Sequence, residues 1–210
     1  MITLYHAAQS RSSRIIWLLE ELGVPYRIQP VSIFRPMTGE GHPDPANPHP
    51  DQRVPAVVHG DGLITESVGI ALYLGDLVPE AGLAPAVGSA GRGAYCSWLG
   101  WYACEMEQAM FASLSGALAA SPAKQRDHAA VMHRLETTLA KGDHVMGDRF
   151  TAADVLIASA LNFARKAFPD SALIDAYVER CKNRPAALRA LSLDGASGVQ
   201  HAARDDAMQH

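Results

Sequence analysis

The sequence predicts two domains: a small α/β domain over residues 1–80 and an all-helical domain over residues 92–193. Three observations predict this. Strand and helix signals alternate through the first 80 residues. A stretch rich in Pro, Gly and Ala, "VPEAGLAPAVGSAG" (78–91), interrupts them, with 81–91 as the linker proper. Beyond Arg92 only helical periodicity remains.

"ITLYH" (2–6) reads as a short buried strand. "SRIIWLLEELG" (13–23) sets Ile15, Ile16, Leu18, Leu19 and Leu22 on one helical face, with Gly23 as the residue that ends the helix. "YRIQPVSI" (26–33) is a second strand, parallel to the first across a right-handed crossover. A Pro- and His-rich loop (35–53) follows. "PAVVHGDGLIT" (55–65) then reads as a hairpin turning at Asp61-Gly62, and "ESVGIALYLGDL" (66–77) as a helix capped by Ser67. The residues thus give the order β-α-β-β-β-α. The later helices span about 92–120, 123–141, 152–167, 172–183 and 185–192, and residues 194–210 carry little periodicity and read as a loose tail.

Composition narrows the function classes. At 210 residues, with 48% hydrophobic and 19% charged, the chain can bury a core and is unlike a disordered one. A formal net charge of −4, with no clustered Lys or Arg, argues against nucleic acid as a partner. No apolar run reaches the roughly 18–20 residues of a membrane span, and "MITLYHA" does not open like a secretory signal. Cys96, Cys104 and Cys181 are scattered and odd in number, the pattern of reduced thiols in a cytoplasm.

The chemistry concentrates in two places. "AAQSRSSRII" (7–16) crowds three serines and two arginines ahead of an apolar helix, where hydroxyls can cap the helix, cradle a phosphate or act on a substrate. In "RVPAVVHGDGLITESVGIALYL" (53–74), a cis Val54-Pro55 bond would turn the backbone edge of Val54 outward, able to pair with a peptide ligand as an added strand. Further on, the free N–H groups of a helix start and the Ser67 hydroxyl form an anion site suited to a carboxylate, and Glu66 beside them suits an ammonium. Taken singly, Pro55 as punctuation and Ser67 as a cap explain each feature; together they fit an amino-acid head group.

The pattern V-P-A … G-x-L-x-E-S-x-x-I-x-x-Y-L resembles the glutathione-binding half of the cytosolic glutathione transferases, as does "LYHAAQSRSSRIIWLLEELGVPY". "SWLGWYACEME" (97–107), "FTAADVLIASAL" (150–161) and "RPAALRAL" (184–191) extend the likeness along nearly the whole chain. The resemblance implies a thioredoxin-like N-terminal domain (β-α-β-α-β-β-α), an all-α C-terminal domain and a cytoplasmic homodimer. It also implies glutathione as co-substrate and an electrophilic small molecule as its partner. "HPDQRVP" (49–55) is similar to the family's HPxGxxP form, with Gln52 in place of the usual glycine.

On this likeness Ser10 is the serine that donates a hydrogen bond to the glutathione sulfur, with Ser12 as the fallback and Ser12 or Ser13 as helix cap. A free thiol has a pKa of about 8.5, and lowering it by about two units takes about 2.7 kcal/mol. A hydroxyl donor at a helix start is of the right kind and scale. Val54 would bind the extended peptide, Glu66 and Ser67 its γ-glutamyl head, and Gln52 or Arg53 its glycine carboxylate. A loop without the cysteine of other members favours conjugation or peroxide chemistry over disulfide exchange. A non-catalytic binding module and a glutathione-dependent disulfide reductase or peroxidase remain the alternatives.

In the helical domain, Trp101, Tyr102, Met106 and Met110 would line a second-substrate pocket or form plain core, and Glu105 would reach glutathione across a dimer. Gly100 and Glu107 depart from the Asn and His often found beside that glutamate. Thr151 and Asp154 form a capping box, flanked by Phe150 and Val155, with a folding role. Histidines 6, 42, 49 and 59 lack ligand spacing, so no metal is expected. His6 reads as a satisfied strand-end histidine near the active-site loop.

Overall fold

A computed structural model describes the backbone of residues 1–208 and the side chains of residues 1–196. In chain order it runs β1 (Ile2–His6), α1 (Ser13–Leu22), β2 (Tyr26–Pro30), β3 (Ala56–His59), β4 (Gly62–Thr65) and α2 (Ser67–Leu77). Next come α3 (Ala90–Trp101), a π-helical turn (Tyr102–Met106), α4 (Glu107–Leu114), α5 (Pro122–Leu139), α6 (Ala152–Phe163), α7 (Ala172–Lys182) and α8 (Pro185–Met208). The chain divides into two compact units: Met1–Ala81 with the segment from Pro185, and Gly82–Arg184.

The first unit is built on a four-stranded sheet in the order β2-β1-β3-β4. β1 and β2 pair in parallel, as the α1 crossover requires, and β3 runs antiparallel to both β1 and β4. α1 buries Ile15, Ile16, Leu18 and Leu19 completely and ends where Gly23 takes a φ of 67° and its N–H reaches Leu19 O. The β3–β4 hairpin turns one residue earlier than the sequence suggests. His59 pairs with Gly62, so Gly60-Asp61 forms the turn, and Gly60 supplies the left-handed φ of 60°.

Residues 31–55 contain no helix among the described residues; an isolated Arg35–Glu40 bridge and turns occupy the segment. The residue-derived order β-α-β-β-β-α is therefore the observed one, without the second helix implied by the resemblance. Pro36, Pro43, Pro45, Pro48 and Pro50 remove the donors such a helix would need.

The second unit is helical. The single helix read over 92–120 is broken by the π turn and stops at Leu114, just before Gly116 with a φ of 73°. α6 runs through the unit's interior, with Val155, Leu156, Ile157 and Leu161 all at 0% exposure. The predicted linker is not loose: Arg149 binds the carbonyls of Gly82 and Ala84, and Ala152 N–H donates to Leu83 O.

α8 corrects the reading of the C-terminus. The backbone stays helical through Met208, past the point where a tail was expected, and residues 209 and 210 lie outside the described residues. α8 also belongs with the sheet-bearing unit rather than the helical one. Arg189 pairs with Glu20 of α1 at 2.6 Å, and Ala186, Ala190 and Asp194 are buried. Packing on α1 sustains a helix that its two glycines weaken.

Candidate active site

One row of the sheet gathers the predicted residues of the first unit. Tyr5 pairs with Ala56, and Ala56 with Thr65. β4 ends at this row, β1 one residue beyond it, and β3 begins there, so the segments holding Ser10, Val54 and Glu66-Ser67 leave the sheet at the same end.

Backbone strain concentrates at that end. Among the described residues three non-glycines have a positive φ: Gln9 at 55°, Gln52 at 51° and Glu66 at 63°. Gln9 precedes Ser10, Gln52 stands two residues before Val54, and Glu66 precedes Ser67. Such conformations cost on the order of 1–3 kcal/mol each and cluster where a backbone is held for function.

The serine cluster divides its work. Ser12 is fully buried and welded to the end of β1: its Oγ lies 2.8 Å from His6 Nδ1 and accepts from Ala7 N–H at 3.2 Å. It occupies the N-cap position without capping through its side chain. Ser13 does not cap either; its Oγ accepts from Ser10 N–H at 3.2 Å and donates to Asp194 Oδ1 at 2.5 Å. Ser10, half-buried, has Ala7 O and Ser12 Oγ both at 2.7 Å from its Oγ, which also accepts from Ser12 N–H at 3.1 Å. Ser10 and Ser13 are both half-buried whereas Ser12 is fully buried, and of the two it is Ser13 whose hydroxyl is committed to Asp194.

The loop is held from two directions that sequence reasoning missed. Arg35 donates to Ala8 O at 2.7 Å. Asp194 of α8 receives Gln9 N–H at 3.2 Å as well as Ser13 Oγ. His6 Nε2 lies 3.2 Å from Asp194 Oδ1 without hydrogen-bond alignment, so this buried nitrogen has no partner. Burial works to raise the Asp194 carboxyl, but His6, Ser13 and the Gln9 amide outweigh it and hold the group below its ordinary value. Arg35 sits in the proline-rich loop and Asp194 in the expected tail, so neither carried a local signal.

Val54-Pro55 is cis, and Val54 precedes the β3 ladder. No hydrogen bond among the described residues takes up its backbone N–H or C=O. The segment before it is braced by side chains: Asn47 donates to Arg53 O at 3.0 Å, and His49 Nδ1 accepts from Asp51 N–H at 3.0 Å. Arg53 pairs with Asp51 at the surface.

At the start of α2 the residues exchange the expected roles. Glu66, exposed, is the N-cap, and Ser67 is the first helical residue, so Ser67 does not cap. Its Oγ is buried and has no hydrogen-bond partner. A buried hydroxyl left unpaired costs about 1–3 kcal/mol, and this one lies at the first residue of a helix.

Family models describe both parts of the chain: "Glutathione S-transferase, N-terminal domain" matches residues 1–76 and "Glutathione S-transferase, C-terminal domain" residues 103–185. The Escherichia coli O157:H7 glutathione S-transferase GstA is 31% identical over 154 residues, covering 70% of this chain and 76% of GstA. The chain belongs to the glutathione S-transferase family.

Solved members of the family share its fold. A glutathione transferase from Methylococcus capsulatus str. Bath is 27% identical with a TM-score of 0.75, covering 93% of this chain and 99% of that one. A sphingomonad glutathione S-transferase complexed with glutathione is 28% identical with a TM-score of 0.74, covering 92% of this chain and 98% of that one.

The residues predicted in the helical unit sit differently in this family member. Trp101, Tyr102 and Met106 are 4%, 1% and 0% exposed, and Met110 is 2% exposed, as core side chains are. Glu105 is exposed on the π turn, and Tyr102 OH donates to Glu107 at 2.6 Å. Of the four histidines, His6, His42, His49 and His59 each have a ring nitrogen in a local hydrogen bond. Among the described residues no group of three or more His, Cys, Asp or Glu is arranged to hold a metal ion. No described helix is long and apolar enough to cross a membrane.

Proposed function

We propose that the chain binds glutathione at this end of the sheet and activates its thiol for attack on an electrophilic small molecule. The observation that carries the proposal is the unpaired, buried Ser67 Oγ at the start of α2, one residue from a strained Glu66. A γ-glutamyl carboxylate would complete the hydrogen bonds of that hydroxyl and of the α2 N–H groups. The exposed Glu66 carboxylate would hold the neighbouring ammonium.

The free N–H and C=O of Val54 would pair with the peptide backbone in strand fashion. Gln52 and Arg53 would meet the glycine carboxylate, Arg53 already sharing its charge with Asp51. Ser10 would hold the sulfur: its hydroxyl, polarised by Ser12 N–H, donates to the thiolate and lowers the thiol pKa. The thiolate then forms a carbon–sulfur bond with the electrophile, which loses a leaving group or takes a proton. Glu105, a homodimer and a cytoplasmic location enter from the family likeness. Free Cys96, Cys104 and Cys181 fit that compartment.

The test is formation of a thioether between glutathione and a reactive aryl halide, followed by mass spectrometry. The wild-type chain is expected to turn over and Ser10→Ala to fall by 10²-fold or so, in line with loss of one thiolate-stabilising donor. Binding with no thioether from the wild type would leave a ligand-binding module instead.

A further inference from the structure

The serine loop contains a continuous chain of hydrogen-bonding atoms that ends on a buried base. Ser10 Oγ lies 2.7 Å from Ser12 Oγ, and Ser12 Oγ lies 2.8 Å from His6 Nδ1. His6 Nε2 faces Asp194 Oδ1 at 3.2 Å. His6 and Ser12 are 1% and 0% exposed, so solvent does not interrupt the chain. We infer that Ser10, Ser12 and His6 form a proton relay that takes the glutathione proton inward to His6, with Asp194 as its counter-charge. The inference rests on the reading of Ser10 as the sulfur-binding hydroxyl.

The relay balances in one concerted shift. Before it, the thiol S–H donates to Ser10 Oγ, the Ser10 hydroxyl to Ser12 Oγ, and the Ser12 hydroxyl to His6 Nδ1. Each proton then moves one place: the S–H bond breaks, a proton forms a bond to Nδ1, and both serines end as neutral hydroxyls. The result is a thiolate facing the Ser10 O–H, and an imidazolium between Ser12 and the Asp194 carboxylate. Direction reversal thus creates the Ser10-to-sulfur hydrogen bond that stabilises the thiolate. Imidazole is the side chain able to accept a proton near neutral pH, and distances of 2.7–2.8 Å are those of well-formed hydrogen bonds.

Two further features suit the relay. Ala7 N–H donates to Ser12 Oγ at 3.2 Å, and the Ser12 hydroxyl has Ala7 O at 3.2 Å and His6 Nδ1 at 2.8 Å as acceptors; the relay uses the shorter contact. His6 Nε2 is buried without a hydrogen-bond partner 3.2 Å from the Asp194 carboxylate, which would attract an imidazolium formed there. Ala7 O also lies 2.7 Å from Ser10 Oγ, a resting acceptor for the same proton when no thiol is present. Two other charged groups face this loop: Arg11, exposed between Ser10 and Ser12, and Arg35 of the proline-rich segment, whose guanidinium lies on the carbonyls of Ala8 and Gln9. The elements packed here carry three more cations, Arg14 buried on α1, Arg27 on β2 and Arg189 on α8, the last paired with Glu20.

The experiment records nitrogen-15 spectra of the histidine-labelled full chain near neutral pH, free, with glutathione and with S-methylglutathione. His6→Asn identifies the His6 signals and keeps an amide oxygen or nitrogen in place of Nδ1. The relay predicts a neutral His6 in the free protein and with S-methylglutathione, and an imidazolium with glutathione. In His6→Asn the thiol proton is instead released to the buffer, about one per glutathione bound, and the apparent thiol pKa rises. An imidazolium already present in the free protein, or a neutral His6 beside a formed thiolate, overturns the relay but not the site. If Ser10→Ala leaves the bound thiol's pKa unchanged, the reading of Ser10 fails, and the relay with it.

Discussion

Ser13 Oγ donates to Asp194 Oδ1 across 2.5 Å, joining the first residue of α1 to a carboxylate 181 positions later on α8. The same carboxylate receives Gln9 N–H, so the C-terminal helix holds both sides of Ser10. A helix that looks dispensable in the sequence thereby fixes the loop that carries the hydroxyl.

Asp194→Asn removes the charge and one acceptor from this junction and is expected to cost about 1–3 kcal/mol at pH 7. The Asp194 carboxyl is held below its ordinary value of 3.8, so the folded state binds fewer protons there than the unfolded one. Its contribution is therefore complete above that ordinary value and is lost as pH falls through the lowered one. Urea midpoints of wild type and variant should differ at pH 7 and converge in acid below 3.8.

Ser67→Ala separates binding from stability. Because Ser67 Oγ has no partner in the folded chain, its removal is expected to leave the unfolding midpoint unchanged or slightly raised. Glutathione affinity, measured by calorimetry, is expected to fall about tenfold, the worth of one hydrogen bond to a charged group.

Asp154 does more than cap α6. Its carboxylate accepts from Thr151 N–H at 2.8 Å, Val145 N–H at 2.9 Å and Tyr177 OH at 3.0 Å, all inside the helical unit. Burial pushes the Asp154 carboxyl up, against those donors and the nearby His144. The cap alone is worth about 1 kcal/mol. Asp154→Ala strands buried donors on three segments, so the expected loss is about 3–5 kcal/mol, read as a lower denaturant midpoint.

The legible parts of the chain were those encoded locally. The spacing of Ile15 to Leu22 with Gly23, the glycine-containing hairpin turn between β3 and β4, and the Thr151-Asp154 box each state their structure in a few neighbouring residues. Pro122 likewise opens α5 behind Ser121, whose Oγ accepts from Lys124 N–H. Long-range closure was not legible. Nothing near Asp194 announces that Gln9 and Ser13 need an acceptor, and nothing near Arg35 announces the carbonyls of Ala8 and Gln9. The serines resemble caps in sequence, but His6 and Ala7 engage the Ser12 hydroxyl and distant Asp194 claims that of Ser13. Gln52 shows the converse, since a glutamine occupies a left-handed position where family likeness leads one to expect glycine.

The central claim is that Ser10 lowers the pKa of bound glutathione. The most direct measurement is the ultraviolet thiolate absorbance of bound glutathione against pH, for wild type and Ser10→Ala. The account predicts a midpoint about two units below the free thiol's value of about 8.5 in the wild type, restored toward that value in the variant. Glutathione that binds with an unshifted thiol in both proteins would contradict it.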